Sequence, residues 1–128
     1  MRSRADKAGE DRASPGHGAA PGGLDLPTDD QVEAAVAAFA LLADPTRLRL
    51  LWLLGRSEHD VGTLARLAGA APAATSQHLA KLRLAGLVTA RRDGRRHLYT
   101  TRDTHVARLI GEALYHADHQ LSRHPDHP

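Results

Sequence analysis

Hydrophobic residues recur at helical spacing along most of this chain from residue 29 onward. Val32, Val36 and Phe39 mark a first amphipathic helix, because residues three and four apart share one face of a helix. Asp44-Pro45 then starts a second helix, since a capping carboxylate precedes a proline that needs no amide hydrogen at the first helical position. The predicted buried stripe of this second helix is Leu48, Leu51, Trp52 and Leu54.

Two shorter helices follow. The third is predicted to bury Val61, Leu64 and Leu67. The fourth spans residues 73–85 and turns Leu79 and Leu82 inward. Two short helices joined by a tight turn predict a helix-turn-helix.

The pattern then changes from helix to strand. Residues 87–92 and 95–101 suit two β-strands around Asp93-Gly94, a dipeptide favoured in two-residue hairpins. A last helix over residues 104–122 carries the apolar stripe Val106, Leu109, Ile110, Ala113 and Leu114. The order α-α-α-α-β-β-α predicts a mostly α, winged helix-turn-helix fold in which the hairpin is the wing.

The same pattern divides the chain into three regions. Residues 1–28 lack apolar periodicity, which predicts a disordered N-terminal tail. Residues 29–123 form the expected winged helix-turn-helix domain for DNA binding and dimerisation, and residues 124–128 form a short tail that contains histidine. A chain of 128 residues with 41% hydrophobic content has room for one modest core.

Composition excludes several kinds of chemistry. The chain has no cysteine, so disulfides and thiolate metal sites are excluded and a metal would have to use histidine and carboxylate ligands. The sequence contains neither a run of about 18 apolar residues nor an apolar signal segment. We therefore expect a cytoplasmic protein with no membrane partner.

The predicted DNA-reading surface depends on where the charges lie, because the formal net charge is only +2. The second helix of a helix-turn-helix enters the major groove, and the candidate contacts on it are Thr75, Ser76, Gln77, His78, Lys81 and Arg83. The wing adds the candidates Arg91, Arg92, Arg95 and Arg96. These arginines can follow DNA phosphates, although they could also serve only to solubilise an exposed hairpin. Double-stranded operator DNA is the expected partner.

Several segments resemble one family of regulators. They are Ala43-Asp44-Pro45-Thr46-Arg47-Leu48, Ser76-Gln77-His78-Leu79, Ala85-Gly86-Leu87-Val88, and Gly94-Arg95 before Tyr99. Together they resemble the ArsR/SmtB family of metal-sensing transcriptional repressors over about residues 30–122. The resemblance implies a homodimer built on the first and last helices, which leaves its operator when a metal ion binds. The chain departs from the family at Ala73 and Ala74, where relatives often carry serine or glutamine.

The candidate metal ligands are Asp103, His105, His116 and His119. His116 and His119 share a face of the last helix, and His105 lies on that face about 16 Å away, at a rise of about 1.5 Å per residue. One helix cannot close such a site, but two antiparallel copies would form two symmetric sites at a dimer interface. The pattern resembles the last-helix site of zinc and nickel/cobalt sensors in the family. Alternatively, these side chains are scattered surface residues of a chain with 9 histidines.

The identity of the metal depends on additional ligands. Four oxygen and nitrogen ligands suit tetrahedral zinc, whereas nickel and cobalt commonly take six. His124, His127 and His17 are candidates for the further positions. Residues 103–107 and 112–116 resemble the nickel/cobalt branch, so Ni(II) or Co(II) is favoured over Zn(II). The family's cysteine-based site at the third helix is absent, because the corresponding residues 58–64 read Glu-His-Asp-Val-Gly-Thr-Leu.

Two other functions are open at this point. One is a winged-helix regulator that responds to a small molecule or a partner protein instead of a metal. The other is a metal-dependent hydrolase, which is disfavoured because no candidate general base accompanies the histidines. We expect a protein that is not an enzyme.

Overall fold

The computed structural model describes residues 25–101 and 103–123. In chain order the elements are α1 (Asp29–Leu42), α2 (Pro45–Leu54), β1 (His59–Asp60), α3 (Val61–Ala68), α4 (Pro72–Leu84), β2 (Thr89–Asp93), β3 (Arg96–Thr100) and α5 (Thr104–Arg123). The mostly helical fold with a small antiparallel sheet confirms the predicted order and adds the short strand β1. Most of the predicted N-terminal tail, with His17, and all of the C-terminal tail, with His124 and His127, lie outside the described residues.

Helix α1 begins with a reciprocal pair of hydrogen bonds. Gln31 N donates to Thr28 Oγ1 at 3.1 Å, and Thr28 N donates to Gln31 Oε1 at 2.9 Å. This capping box satisfies amide groups that the first turn of a helix leaves without partners. The chain divides into two compact units between Ala40 and Leu41. In the first unit, the apolar face predicted for α1 is exposed at Val32, Val36 and Phe39.

The second unit has a leucine core built from α2, α3 and α4. Its fully buried apolar side chains are Leu50, Leu51, Leu54, Leu64, Leu79, Leu82 and Val88. Asp44 starts α2 as predicted, since its Oδ2 accepts a hydrogen bond from Arg47 N at 2.9 Å. Helix α2 contacts α3, α4 and α5, so it lies at the centre of this unit.

Three parts of the predicted core are wrong. Trp52 is 40% exposed and stacks beneath the Arg56 guanidinium at 4.4 Å, while Leu50 fills the inward position. Leu67 is exposed because α3 buries its smaller residues Ala65 and Ala68 beside Leu64. On α5 the buried side chains are Val106 and Ile110, whereas Leu109 and Leu114 are more than a third exposed. Hydrophobic periodicity predicted these helices correctly. It misplaced part of the buried face of α2 and of α3, and it predicted too broad a buried face for α5.

The sheet has the order β1-β3-β2, and both pairings are antiparallel. Asp93 pairs with Arg96, so the hairpin turn is Gly94-Arg95, one residue later than predicted. Gly94 has φ +67, which suits the two-residue turn that takes glycine at its first central position. Strand β1 has no counterpart among the predicted strands, because two residues carry too little alternation to indicate a strand.

We expect Leu79→Ala to destabilise the domain by about 2–5 kcal/mol, because it leaves a cavity at a fully buried site. Urea denaturation measures the difference. Leu84→Ala is the matched control on the same helix, where the side chain is 90% exposed, and it should change the free energy of unfolding by less than about 0.5 kcal/mol. Equal losses in the two variants would contradict this assignment of the inner and outer faces of α4.

Candidate functional site

Helices α3 and α4 form the helix-turn-helix. Asp60 caps α3 by accepting a hydrogen bond from Thr63 N at 2.8 Å. The hydrogen bonds from Thr63, together with nearby Arg96, lower the pKa of the Asp60 carboxyl. Gly69 ends α3 with φ +70, and Pro72 begins α4. The tight turn between them needs the left-handed backbone conformation that glycine adopts without strain.

The outer face of α4 carries most of the predicted DNA contacts of this helix. Ser76, Gln77, Lys81 and Arg83 are exposed. Gln77 and Lys81 lie on the side away from Leu79 and Leu82, which are fully buried, and Ser76 and Arg83 flank that inner face. These four side chains therefore stand on a free surface that a DNA groove can approach.

Thr75 is a correction to the predicted contacts. Its side chain is fully buried, and its Oγ1 donates a hydrogen bond to Ala71 O at 2.9 Å. Thr75 lies four residues before Leu79 and therefore shares the inner face of the helix. The hydroxyl is satisfied within its own helix and is not available to a base.

His78 is half-buried and connects α4 to the start of α2. Arg47 Nη1 lies 3.3 Å from His78 Nδ1, and His78 Nε2 lies 3.9 Å from Asp44 Oδ2. Arg47 Nε also donates to Leu41 O at 2.7 Å. The pKa of Asp44 is lowered, chiefly by the hydrogen bond from the Arg47 amide and further by the charges of His78 and Arg47. In this structure, His78 interacts with side chains that position the helix.

The wing arginines differ in their partners. Arg91 Nε and Nη2 donate to the two carboxylate oxygens of Glu58 at 2.8 and 2.9 Å. This pairing lowers the pKa of Glu58 and raises that of Arg91. Arg96 lies 3.4 Å from Asp60 Oδ2 and 3.5 Å from Asp93 Oδ2. The sequence analysis missed Glu58 and Asp60 as partners, because no local pattern shows that β1 lies beside the wing.

The other two wing arginines are exposed outside these ion pairs. Arg92 Nη1 lies 3.4 Å from His97 Nε2, and Arg95 occupies the hairpin turn. The acidic residues therefore hold Arg91 and Arg96, whereas Arg95 in the hairpin turn lies outside these ion pairs. A projecting cation at a hairpin tip is suited to a phosphate backbone.

The predicted metal ligands Asp103 and His105 lie at the start of α5. Asp103 Oδ1 accepts hydrogen bonds from His105 N at 2.9 Å and Val106 N at 3.0 Å. Asp103 is therefore also the N-cap of α5, a role that the sequence analysis did not assign to it. Both residues line a shallow cleft beside Gly86 and Thr89.

The predicted ligands His116 and His119 are exposed further along α5. His116 Nε2 lies 3.4 Å from Gln120 Nε2, and the His119 ring packs edge-on against Tyr115 at 4.8 Å. Within the described residues of one chain, no three histidine, cysteine or acidic side chains converge on a point that could hold a metal ion. The four candidates thus form two separate pairs along α5.

Residues 44–90 match the family described as bacterial regulatory protein, arsR family. The HTH-type transcriptional regulator KmtR of Mycobacterium tuberculosis is 43% identical over 108 residues, which cover 84% of this chain and 83% of KmtR. This chain belongs to the arsR family. The matched residues contain the whole helix-turn-helix, and they end before β3 and α5.

Solved structures agree with the arsR assignment. The homodimeric winged helix-turn-helix DNA-binding domain of Mb0332 from Mycobacterium bovis is 31% identical, covers 79% of this chain and 96% of its own, and has a TM-score of 0.66. The antimony-specific transcriptional repressor AntR is 33% identical, covers 77% of this chain and 90% of its own, and has a TM-score of 0.71. The chain is therefore a winged helix-turn-helix transcriptional regulator of the arsR family, a family of DNA-binding regulators and not of enzymes.

Among the helices in the described ranges, none combines the length and apolar character that a transmembrane segment requires.

The wing geometry predicts that Arg95→Ala weakens DNA binding. Loss of one phosphate contact should reduce the slope of log affinity against log salt by about one. Fluorescence anisotropy at several salt concentrations gives this slope. Arg108→Ala, which removes an exposed charge from α5, is the control and should keep the wild-type slope. An unchanged slope for Arg95→Ala would contradict a phosphate contact at the wing tip.

The lowered pKa of Asp44 predicts a pH effect on stability. A carboxyl whose pKa is lower in the folded state stabilises that state above its unfolded pKa, and this contribution disappears as pH falls through the folded value. Wild type should therefore lose stability below about pH 4–5. Asp44→Asn keeps a capping side chain that cannot titrate there, so its free energy of unfolding in urea should depend less on pH. A wild-type pH dependence in Asp44→Asn would refute this contribution.

Proposed function

We propose that this chain is a homodimeric transcriptional repressor that releases its operator when Ni(II) or Co(II), in preference to Zn(II), binds at the dimer interface. The observation that carries the proposal is the division of the candidate ligands into two pairs on α5. Asp103 and His105 lie at its start, and His116 and His119 follow near its end. Two such helices that run antiparallel bring the first pair of one chain beside the second pair of the other.

The side chains present fit a divalent transition metal. Asp103 keeps its cap through Oδ1, and its Oδ2 lies outside those bonds, so one carboxylate can cap the helix and bind a metal. His105 is exposed beside it. His116 and His119 of the partner subunit would complete a set of imidazole and carboxylate donors, which suits zinc, nickel and cobalt.

Helix α5 also offers the surface for dimerisation. Its apolar side chains outside the core are exposed: Leu109 by 38%, Leu114 by 39%, Tyr115 by 63% and Leu121 by 72%. We infer that a second copy of this chain buries part of this exposed apolar area, because removal of apolar surface from water favours association. The homodimeric state of the similar Mb0332 domain supports the same assembly.

DNA binding by the proposed dimer would use both copies of α4. Two recognition helices related by a twofold axis read half-sites about 34–36 Å apart along the DNA. Ser76 and Gln77 would face the bases, and Lys81, Arg83 and the wing tip would face phosphates. Because α2 contacts both α4 and α5, a change in how two α5 helices pack can alter the spacing of the α4 helices.

A bound metal would supply a cross-link between the two protomers. The four donor side chains then restrain the α5 pair in one arrangement, which we propose fits the operator poorly. A coupling free energy of about 1–3 kcal/mol is usual and corresponds to a loss of affinity of about 5- to 150-fold. By linkage, operator DNA must lower the affinity for metal by the same factor.

The alternative is a regulator that responds to a small molecule. A cavity of about 130 Å³ between α2 and α5 favours this possibility, and its lining includes Trp52, Arg56 and Ile110. In this alternative, the α5 histidines are ordinary surface residues.

The test is a titration of the metal-free protein on its promoter DNA with Co(II), Ni(II) and Zn(II), followed by fluorescence anisotropy and Co(II) absorption. We expect release of DNA and a weak six-coordinate cobalt spectrum, with further ligands from His124, His127 or His17. An intense tetrahedral spectrum would assign the site to zinc. DNA binding that no metal alters would refute the sensor and leave the small-molecule alternative.

The His116→Ala variant isolates the proposed site. We expect it to bind DNA with wild-type affinity and to lose the response to metal, because His116 is exposed on α5 away from the helix-turn-helix. His59→Ala, which removes a histidine from β1, is the matched control and should keep the response. Loss of DNA binding by His116→Ala, or a normal metal response, would rule out the assigned role.

A further inference from the structure

The outer face of α4 has an unusual chemical character for a helix that reads DNA. Thr75, Leu79 and Leu82 are buried, so at about 3.6 residues per turn Gln77 lies opposite the core. The exposed residues that flank Gln77 on this face are Ala73, Ala74, Ala80, Lys81 and Leu84. Apart from Lys81, this face therefore presents apolar side chains and one amide.

The first two turns of α4 contain no side chain that favours guanine, because the exposed Ser76 hydroxyl can contact any base. Residues 72–79 include neither arginine nor lysine, the residues that most often read guanine in the major groove. His78 interacts with Arg47 and lies near Asp44, and Thr75 is buried. Lys81 comes later, and the N-terminal part of a recognition helix is the part that contacts base edges.

The groups that remain match A·T pairs. A glutamine amide pairs with adenine N6 and N7, and an alanine methyl contacts the C5-methyl group of thymine. We propose that Gln77 reads adenine and that Ala73 and Ala74 read thymine methyl groups, so that the centre of each operator half-site consists of A·T pairs. This inference rests on the entry of α4 into the major groove, and it does not depend on the metal.

The first step of the test is to select tight binders from a random duplex library with the metal-free protein. We expect successive A·T pairs in each half-site. The best duplex is then made again with deoxyuridine in place of each thymidine in turn, which removes only the methyl group. Loss of a contacted methyl should weaken binding about fourfold, as expected for about 0.8 kcal/mol per buried carbon.

Variants then assign the contacts to residues. Ala73→Ser and Ala74→Ser convert the methyl group into a polar hydroxymethyl group, and serine is well tolerated near a helix N-terminus. Each should bind the thymidine duplex more weakly and lose the discrimination against deoxyuridine at one position. Ala80→Ser, further along the same face, is the control and should keep the wild-type discrimination. Gln77→Ala should lose about tenfold in affinity and become indifferent to 7-deazaadenine at its position.

The possible outcomes distinguish A·T recognition by α4 from DNA binding by α4 in general. Selected half-sites with central G·C pairs, or equal affinity for thymidine and deoxyuridine duplexes, would overturn the inference and leave the interface intact. Serine variants that discriminate as wild type does would overturn the roles of Ala73 and Ala74. A library that yields no preferred sequence would refute sequence-specific reading by α4 altogether.

Discussion

Burial of the inner face of α4 is the constraint on which the rest of the DNA-binding surface depends. Leu79 and Leu82 are fully buried in the same core as Leu50, Leu51 and Leu64. A helix held on one side by leucines has only one orientation about its axis that keeps them out of water, because each such side chain contributes about 1.5–3 kcal/mol by burial. The orientation that buries Leu79 therefore exposes Gln77.

Ion pairs act on the DNA-facing surface after hydrophobic burial has fixed its orientation. Glu58 and Asp60 stand beside the wing, and their contacts with Arg91 and Arg96 connect it to the start of α3. Exposed ion pairs contribute little to stability. Their main effect is that Arg91 and Arg96 are paired within the protein, whereas Arg92 and Arg95 can contact DNA. The His78 contacts with Arg47 and Asp44 play a similar part at the other side of α4. The residues predicted to contact DNA thus fall into two groups. Arg91, Arg96 and His78 have partners within the protein, and the remaining exposed residues are available to DNA.

Most of the fold could be predicted from the sequence, because helix caps and periodic leucines are local signals. Asp44-Pro45 and the inward Leu79 lie as predicted. The errors concern features that depend on residues distant in the sequence, which local patterns do not indicate. Thr75 looked like a polar contact until the core placed it inside, and the pairing of Glu58 with Arg91 joins residues 33 positions apart. The shift of the turn from Asp93-Gly94 to Gly94-Arg95 reflects strand register, which the pairing with β3 sets.

The two ends of α5 show why the metal hypothesis concerns a dimer and not a chain. A rigid helix keeps His105 about 16 Å from His116 at a rise of about 1.5 Å per residue, Asp103 lies farther away still, and no side chain spans that gap. A metal site made from both pairs of ligands therefore requires a second copy of α5. The affinity for metal would then depend on how the two α5 helices pack in the dimer. In the proposed dimer the same geometry would set the separation of the two α4 helices, because α2 contacts both α5 and α4. An ion that prefers one packing of α5 must then change operator affinity unless DNA accepts both packings equally.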